Sequence, residues 1–121
     1  MHIPDNDASD EILKTAQERC NAFAEAGADC VFIPGARNEA TISNLVKNIN
    51  APVNILLNAA LQDLDRLNEL GVRRLSTGCY PSRYIYGRTI DMANDLYNGD
   101  VSESVGHGFS SAKANDYFKD H

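Results

Sequence analysis

Positive charge is scarce in this sequence. Eleven Lys and Arg are scattered among seventeen Asp and Glu, for a formal net charge of −6, whereas a nucleic-acid surface needs a concentrated basic face. Cysteine is sparse too: Cys20, Cys30 and Cys79 are odd in number, lie far apart and lack CxxC or Cys/His ligand spacing. Neither a disulfide framework nor a zinc site is expected, and the three read as buried or half-buried thiols of a reducing compartment. No apolar run approaches the roughly 20 residues of a membrane span. The opening stretch MHIPDNDASDE is too acidic and polar for a signal or transit peptide, so the expected location is the cytoplasm. What remains, 43% hydrophobic and 23% charged residues without tryptophan, is the composition of one globular domain with one core.

The apolar pattern then sets out the elements. Ser9 can cap a helix whose first turn holds Asp10 and Glu11, where carboxylates meet the positive end of the helix dipole. Ile12, Ala16, Cys20 and Phe23 fall on one face of a 3.6-residue period, and Gly27 is placed to end the helix in a left-handed conformation. Residues 28–33 are a short apolar run stopped by Pro34 and Gly35, which predicts a strand buried on both faces. Asn38 can cap a second helix carrying Ile42, Leu45, Val46 and Ile49. A second strand over 53–57 follows Pro52 and is interrupted by Asn54. A third helix carries Leu61, Leu64, Leu67 and Leu70 and ends at Gly71, and residues 72–76 make a third strand before the Thr77-Gly78 turn. This α/β alternation predicts parallel strands joined by right-handed crossovers.

Pro81 suits the first turn of a fourth helix reaching about Asn98, with Ile85, Thr89, Met92 and Leu96 on one side and Tyr84, Arg88, Asp91 and Asp95 on the other. Residues 99–108 are polar and glycine-containing, which predicts a flexible connection, and Ser110 or Ser111 can start a short helix through Phe118. The expected organisation is a polar lead-in over 1–8, an α/β unit over 9–98, and a connection with a terminal helix over 99–121.

Three stretches, in this order, resemble the final strands of the isocitrate lyase and phosphoenolpyruvate mutase superfamily. ERCNAFAEAGADCVFIPGA is similar to a helix followed by AGAD and an apolar strand ending near Pro-Gly. APVNILLN is similar to the penultimate strand, and LNELGVRRLSTG to a Leu-rich helix end that meets GV-x-R-[VL]-S-x-G. The resemblance covers about residues 10–98 and implies the last three β/α units of a TIM (β/α)8 barrel. A complete barrel has roughly 250 residues, so the barrel is expected to be incomplete in this chain. The resemblance also implies Mg2+-dependent lyases and phosphonomutases that break or move C–C or P–C bonds of 2-oxo or enol carboxylates. The family's metal carboxylates, catalytic loop and a substrate-binding Arg lie on earlier strands, so no catalytic residue and no metal ligand is expected here.

Barrel sites sit at the C-terminal ends of the strands, which directs attention to residues 34–37, 54–58 and 76–83. Some lyases of the family place a substrate-contacting Glu just after the sixth strand, where an ungapped reading puts Pro34. They also have an Asn near the end of the seventh strand; Asn54 and Asn58 are displaced from it by two residues either way. Counting from Leu75 to Arg83 gives the nine-residue spacing that the family shows between its last strand and an arginine near the start of the final helix. The resemblance therefore implies Arg83 as a contact for a carboxylate or phosphate through paired hydrogen bonds; the plain alternative is an exposed helix-surface arginine. Ser76 and Gly78 can offer a hydroxyl and a backbone N–H to an anion, or serve only as turn residues.

The remaining chemistry-bearing residues are less pointed. His2, His107 and His121 read as solvated surface histidines. Cys79 has no His or Lys near it in sequence to lower its pKa, and Gly106-His107-Gly108 does not join a strand to a helix as a phosphate loop must. One of Arg73 and Arg74 faces outward from its strand, with a salt bridge to a helix as the simplest account.

Three functions are consistent with these features. The first is the C-terminal portion of a lyase or mutase of this superfamily, inactive alone and binding a small carboxylate or phosphonate once completed. The second is a non-catalytic domain that self-associates or joins an N-terminal half through open sheet edges. The third is a small flavodoxin-like domain binding a phosphate-bearing ligand. No nucleic-acid or membrane partner is expected for any of them.

Overall fold

The computed structural model describes residues 9–102, 104–105 and 108–119. The lead-in at 1–8, with His2, and Gly106, His107 and His121 lie outside the described residues. The elements are α1 (Asp10–Glu25), β1 (Val31–Ile33), α2 (Glu39–Asn48), β2 (Val53–Leu56), α3 (Leu64–Glu69), β3 (Arg74–Ser76), α4 (Tyr80–Tyr97) and α5 (Ser111–Lys119). They fall into two compact units, one ending at Gly78 and the other beginning at Cys79.

In the first unit the strands form one parallel sheet in the order β1-β2-β3. Val31, Val53, Ile33 and Ile55 are buried among Ala16 and Cys20 of α1, Ile42 and Leu45 of α2 and Leu67 of α3, so the helices cover one face. Each large aliphatic side chain buried this way contributes about 1.5–3 kcal/mol. The helix ends are built as the sequence predicts. Ser9 and Asn38 accept from Ile12 and Thr41 as N-caps, and Gly27 stands at φ +98° after α1. Asn21 ties α1 to the end of α2, accepting from the Asn50 N–H at 2.8 Å and donating to the Asn48 carbonyl at 3.0 Å. Arg66 of α3 bridges Glu39 of α2 and Glu69 at 2.8 and 3.0 Å, an exposed clamp that solvent screens.

Several boundaries differ from the sequence expectation. β1 is half-buried rather than buried on both faces: Phe32 is 48% exposed between buried Val31 and Ile33, because it points to the sheet face opposite the helices. Phe23, expected on the buried face of α1, is exposed and lines a groove with Cys30, Phe32 and Ala28 along the free edge of β1. α3 starts later, at Leu64, because Asp63 caps it by accepting from the Arg66 N–H. Leu61 is instead bridged to Asn58 in the preceding loop. β3 also starts later: the Val72 N–H closes the end of α3 on the Leu67 carbonyl, so Val72 completes a helix terminus. Arg73 donates to the Asn68 side chain at 3.2 Å, an amide contact where a salt bridge was expected.

In the second unit, α4 carries Pro81 in its first turn and has no buried residue; Ile85, Met92 and Leu96 are all exposed. Asp100 accepts from the side chain and backbone N–H of Ser102, which holds its carboxyl below the ordinary range. Phe109, Tyr117 and Phe118 stack edge to face around α5. Among the described residues no helix is long and apolar enough to cross a membrane.

Candidate functional site

Parallel strands present their C-terminal ends together, and here those ends carry polar side chains. Asn54 pairs in register with Phe32 and Arg74, and Leu56 with Ser76. Side chains alternate along a strand, so Phe32, Asn54, Leu56, Arg74 and Ser76 share the face opposite the helices, which a closed barrel would turn inward. Asn54 is only 2% exposed. Its Nδ2 donates to Ser76 Oγ at 2.8 Å, and that hydroxyl donates back to Asn54 Oδ1 at 3.2 Å. A polar group at this depth is costly unless it is hydrogen-bonded, so the pair explains how an amide interrupts an apolar strand.

Just beyond, the Leu57 N–H donates to the Ser76 carbonyl at 2.9 Å, which carries the β2–β3 pairing one residue further. Asn58 then turns the chain: its Oδ1 accepts from the Ala60 N–H at 2.9 Å and its carbonyl from the Leu61 N–H at 3.2 Å. Its Nδ2 is buried and has no partner among the described residues. Gly78 lies at φ +57°, and a Cβ there would sit 3.1 Å from Leu56 Cδ1. Glycine is therefore what lets the chain leave β3 over the end of β2. At the end of β1, Pro34 is half-buried and Ala36 is fully buried.

Asn54, Asn58, Ser76 and Gly78 thus belong to one unit, and Asn54 and Ser76 are in direct contact. Arg83 belongs to the second unit. It is the fourth residue of α4, exposed, with its N–H donating to the Cys79 carbonyl at 2.9 Å. Cys79, expected to be a buried or half-buried thiol, is the exposed N-cap of α4, and its side chain makes no capping hydrogen bond. Sequence reasoning missed Arg74 as a member of the inner face. Alternation shows that Arg73 and Arg74 take opposite sides, but only the Asn54–Ser76 contact fixes which is which.

The donor set does not suit a divalent cation. Mg2+ is held by carboxylates and other oxygens, whereas these strand ends offer an amide and a hydroxyl that satisfy each other and an unpaired N–H donor on Asn58. Among the described residues no group of three or more His, Cys, Asp or Glu could hold a metal. The arrangement is suited to an anion.

Comparison with known proteins agrees with the fold. The phosphoenolpyruvate phosphomutase family matches residues 5–97. The uncharacterized protein Rv1998c of Mycobacterium tuberculosis H37Rv, and its counterpart MT2054 in strain CDC 1551, are 44% identical over 64 residues, or 53% of this chain. The chain spans 24% of the length of these relatives. A "putative phosphonomutase" of Burkholderia cenocepacia J2315 superposes with a TM-score of 0.71 at 32% identity, covering 76% of this chain and 37% of that one. A "putative lyase/mutase" of the same organism superposes with a TM-score of 0.80 at 27% identity, covering 93% of this chain and 40% of its own.

Proposed function

The chain belongs to the phosphoenolpyruvate phosphomutase family, and from this we propose that its three β/α units form the substrate-facing side of a lyase or phosphonomutase barrel acting on a small 2-oxo or enol carboxylate or phosphonate. One observation carries the reading. Neutral hydrogen-bond donors, and no carboxylates, gather where β2 and β3 end side by side, and the family match runs through both strands. In this reading the Ser76 hydroxyl, the Gly78 N–H and the Asn58 amide serve as neutral donors at the ends of β2 and β3, and Arg83 of the second unit is assigned, on the family spacing alone, as a bidentate anchor for an anionic group. The family's Mg2+ would be held by carboxylates that these strand ends do not include, and the chain alone is inactive.

The free edge of β1 supports an accompanying reading of its partners. Val31 donates to the Pro52 carbonyl, so the Phe32 N–H and C=O point away from β2. Beside them runs a mainly apolar groove of about 300 Å³ between α1 and β1. This edge takes up further strands, supplied by an N-terminal half or by other copies of the chain. A self-associating, non-catalytic domain is the second reading that the same edge supports. Free cysteines at three levels of burial suit a reducing cytoplasm.

The test is transplantation. Residues 10–98 replace the corresponding segment of the Burkholderia lyase/mutase, and turnover of a panel of 2-oxo and phosphono carboxylates is followed with Mg2+. Activity in the hybrid supports the reading, and Arg83→Ala in it should weaken substrate binding roughly tenfold to a hundredfold. Arg83→Lys should recover only part of that loss. A hybrid that folds like its parent yet turns over nothing the parent does would remove the enzymatic reading.

A further inference from the structure

Arg74 opens β3 on the inner face, directly across the ladder from Asn54. Its neighbour Arg73 takes the helix side, where Asn68 holds it. Arg74 is exposed, and none of the ion pairs among the described residues involves it. A guanidinium with no ion-pair partner among the described residues, at the start of a strand and on the face that a complete barrel encloses, is available to meet an anion.

Ser76 supplies the second donor. Its oxygen already accepts from Asn54 Nδ2 at 2.8 Å, and the internal acceptor for its own proton, Asn54 Oδ1, stands farther off at 3.2 Å. An ionised oxygen is a stronger acceptor than an amide carbonyl, so an arriving anion accepts the hydrogen bond from the Ser76 hydroxyl while Asn54 Nδ2 keeps its oxygen oriented. Residues two apart on a parallel strand are roughly 6.6 Å apart, a span that a side chain as long as arginine's covers when it extends toward the strand's C-terminal end.

The geometry points to an oxyanion site on the inner face, with Arg74 as its charged member, the Ser76 hydroxyl as its second donor and Asn54 as the positioning residue. The ligand is a small carboxylate or phosphonate. Its identity as a substrate rests on the function proposed above; the site itself rests on β2 and β3 alone.

The experiment uses the 121-residue chain with two probes, oxalate and inorganic phosphate, titrated separately while the Asn54 side-chain amide is followed by proton–nitrogen correlation NMR. Saturable shifts of that amide are expected with either probe. Arg74→Gln should weaken the affinity by about tenfold or more, as expected for loss of a charge-assisted contact, and Ser76→Ala by a smaller factor. Arg73→Gln removes the same charge from the other face and should leave the affinity unchanged. If Arg74→Gln does not fold, Arg74→Met replaces it as the neutral variant and should weaken the affinity to the same extent; wild-type affinity in the methionine variant would overturn Arg74 as the charged member. The proposal is overturned by the absence of saturable shifts, or by equal weakening in Arg73→Gln and Arg74→Gln, which would mean diffuse charge attraction. Inactivity of the transplanted barrel alongside oxalate binding at Arg74 would sink the enzymatic reading and leave the site standing.

Discussion

Two glycines end helices in the same backbone conformation but in different surroundings, and they separate two energetic costs. Gly27 follows α1 at φ +98° with nothing within 4 Å of an added Cβ, whereas Gly71 follows α3 at φ +92° with Val46 Cγ1 at 2.7 Å. Alanine at Gly27 meets only left-handed strain, about 1–2 kcal/mol. Alanine at Gly71 meets that strain and presses into α2 as well, and overpacking of this kind adds about 1–3 kcal/mol. Gly71→Ala should therefore destabilise by about 2–5 kcal/mol, a large share of the 5–15 kcal/mol typical of a domain. Val46→Ala in the Gly71→Ala background removes the clashing methyl, so the double variant should be more stable than additivity of the two single changes predicts. Urea unfolding followed by circular dichroism measures all four variants. The close approach of Val46 to Gly71 is refuted if Gly71→Ala costs no more than Gly27→Ala and shows no coupling to Val46.

Burial raises the Cys20 thiol above its ordinary pKa, with the Arg19 charge pulling the other way. A group raised by folding contributes stability that is full below its unfolded pKa and is lost as pH rises through the folded value. The melting temperature should therefore fall above about pH 8.5, and Cys20→Ala should flatten that fall; an unchanged slope in the variant would exclude this thiol as its source. Leu45 is fully buried, and Leu45→Ala should cost about 2–5 kcal/mol in denaturant titration, with a cost below 1 kcal/mol speaking against the core as described. With open edges on β1 and β3 and Phe32 exposed, the chain should self-associate or melt early. Light scattering after size exclusion tests this, and a well-behaved monomer with a sharp melt would count against a barrel segment.

The order and type of the elements were legible because local chemistry decides them. Ser9 and Asn38 cap the helices predicted from them, Gly27 and Gly71 end theirs at positive φ, and the apolar periods of α1 and α2 bury Ala16, Cys20, Ile42 and Leu45. What the sequence left open depends on contacts between elements. Leu61 has helical spacing to Leu64 yet belongs to the Asn58 turn, and nothing in a period distinguishes the two. An apolar run such as residues 28–33 looks the same whether one face is covered or both, so the exposure of Phe32 could not be read from it. The phase of β3 was hidden for the same reason. Leu75 between two polar residues is compatible with either facing, and the Asn54–Ser76 hydrogen bond, which spans 22 positions, is what places Arg74 rather than Arg73 on the inner face.

The central proposal is that these three β/α units carry substrate-binding groups and, among the described residues, no metal site. It is tested most directly by incubating the purified chain with Mg2+ and, in turn, phosphonopyruvate, 2-methylisocitrate, isocitrate and oxaloacetate, and following each substrate by NMR with and without EDTA. The account predicts no turnover above the uncatalysed rate for any of the four. Turnover of any of them that EDTA abolishes would contradict it.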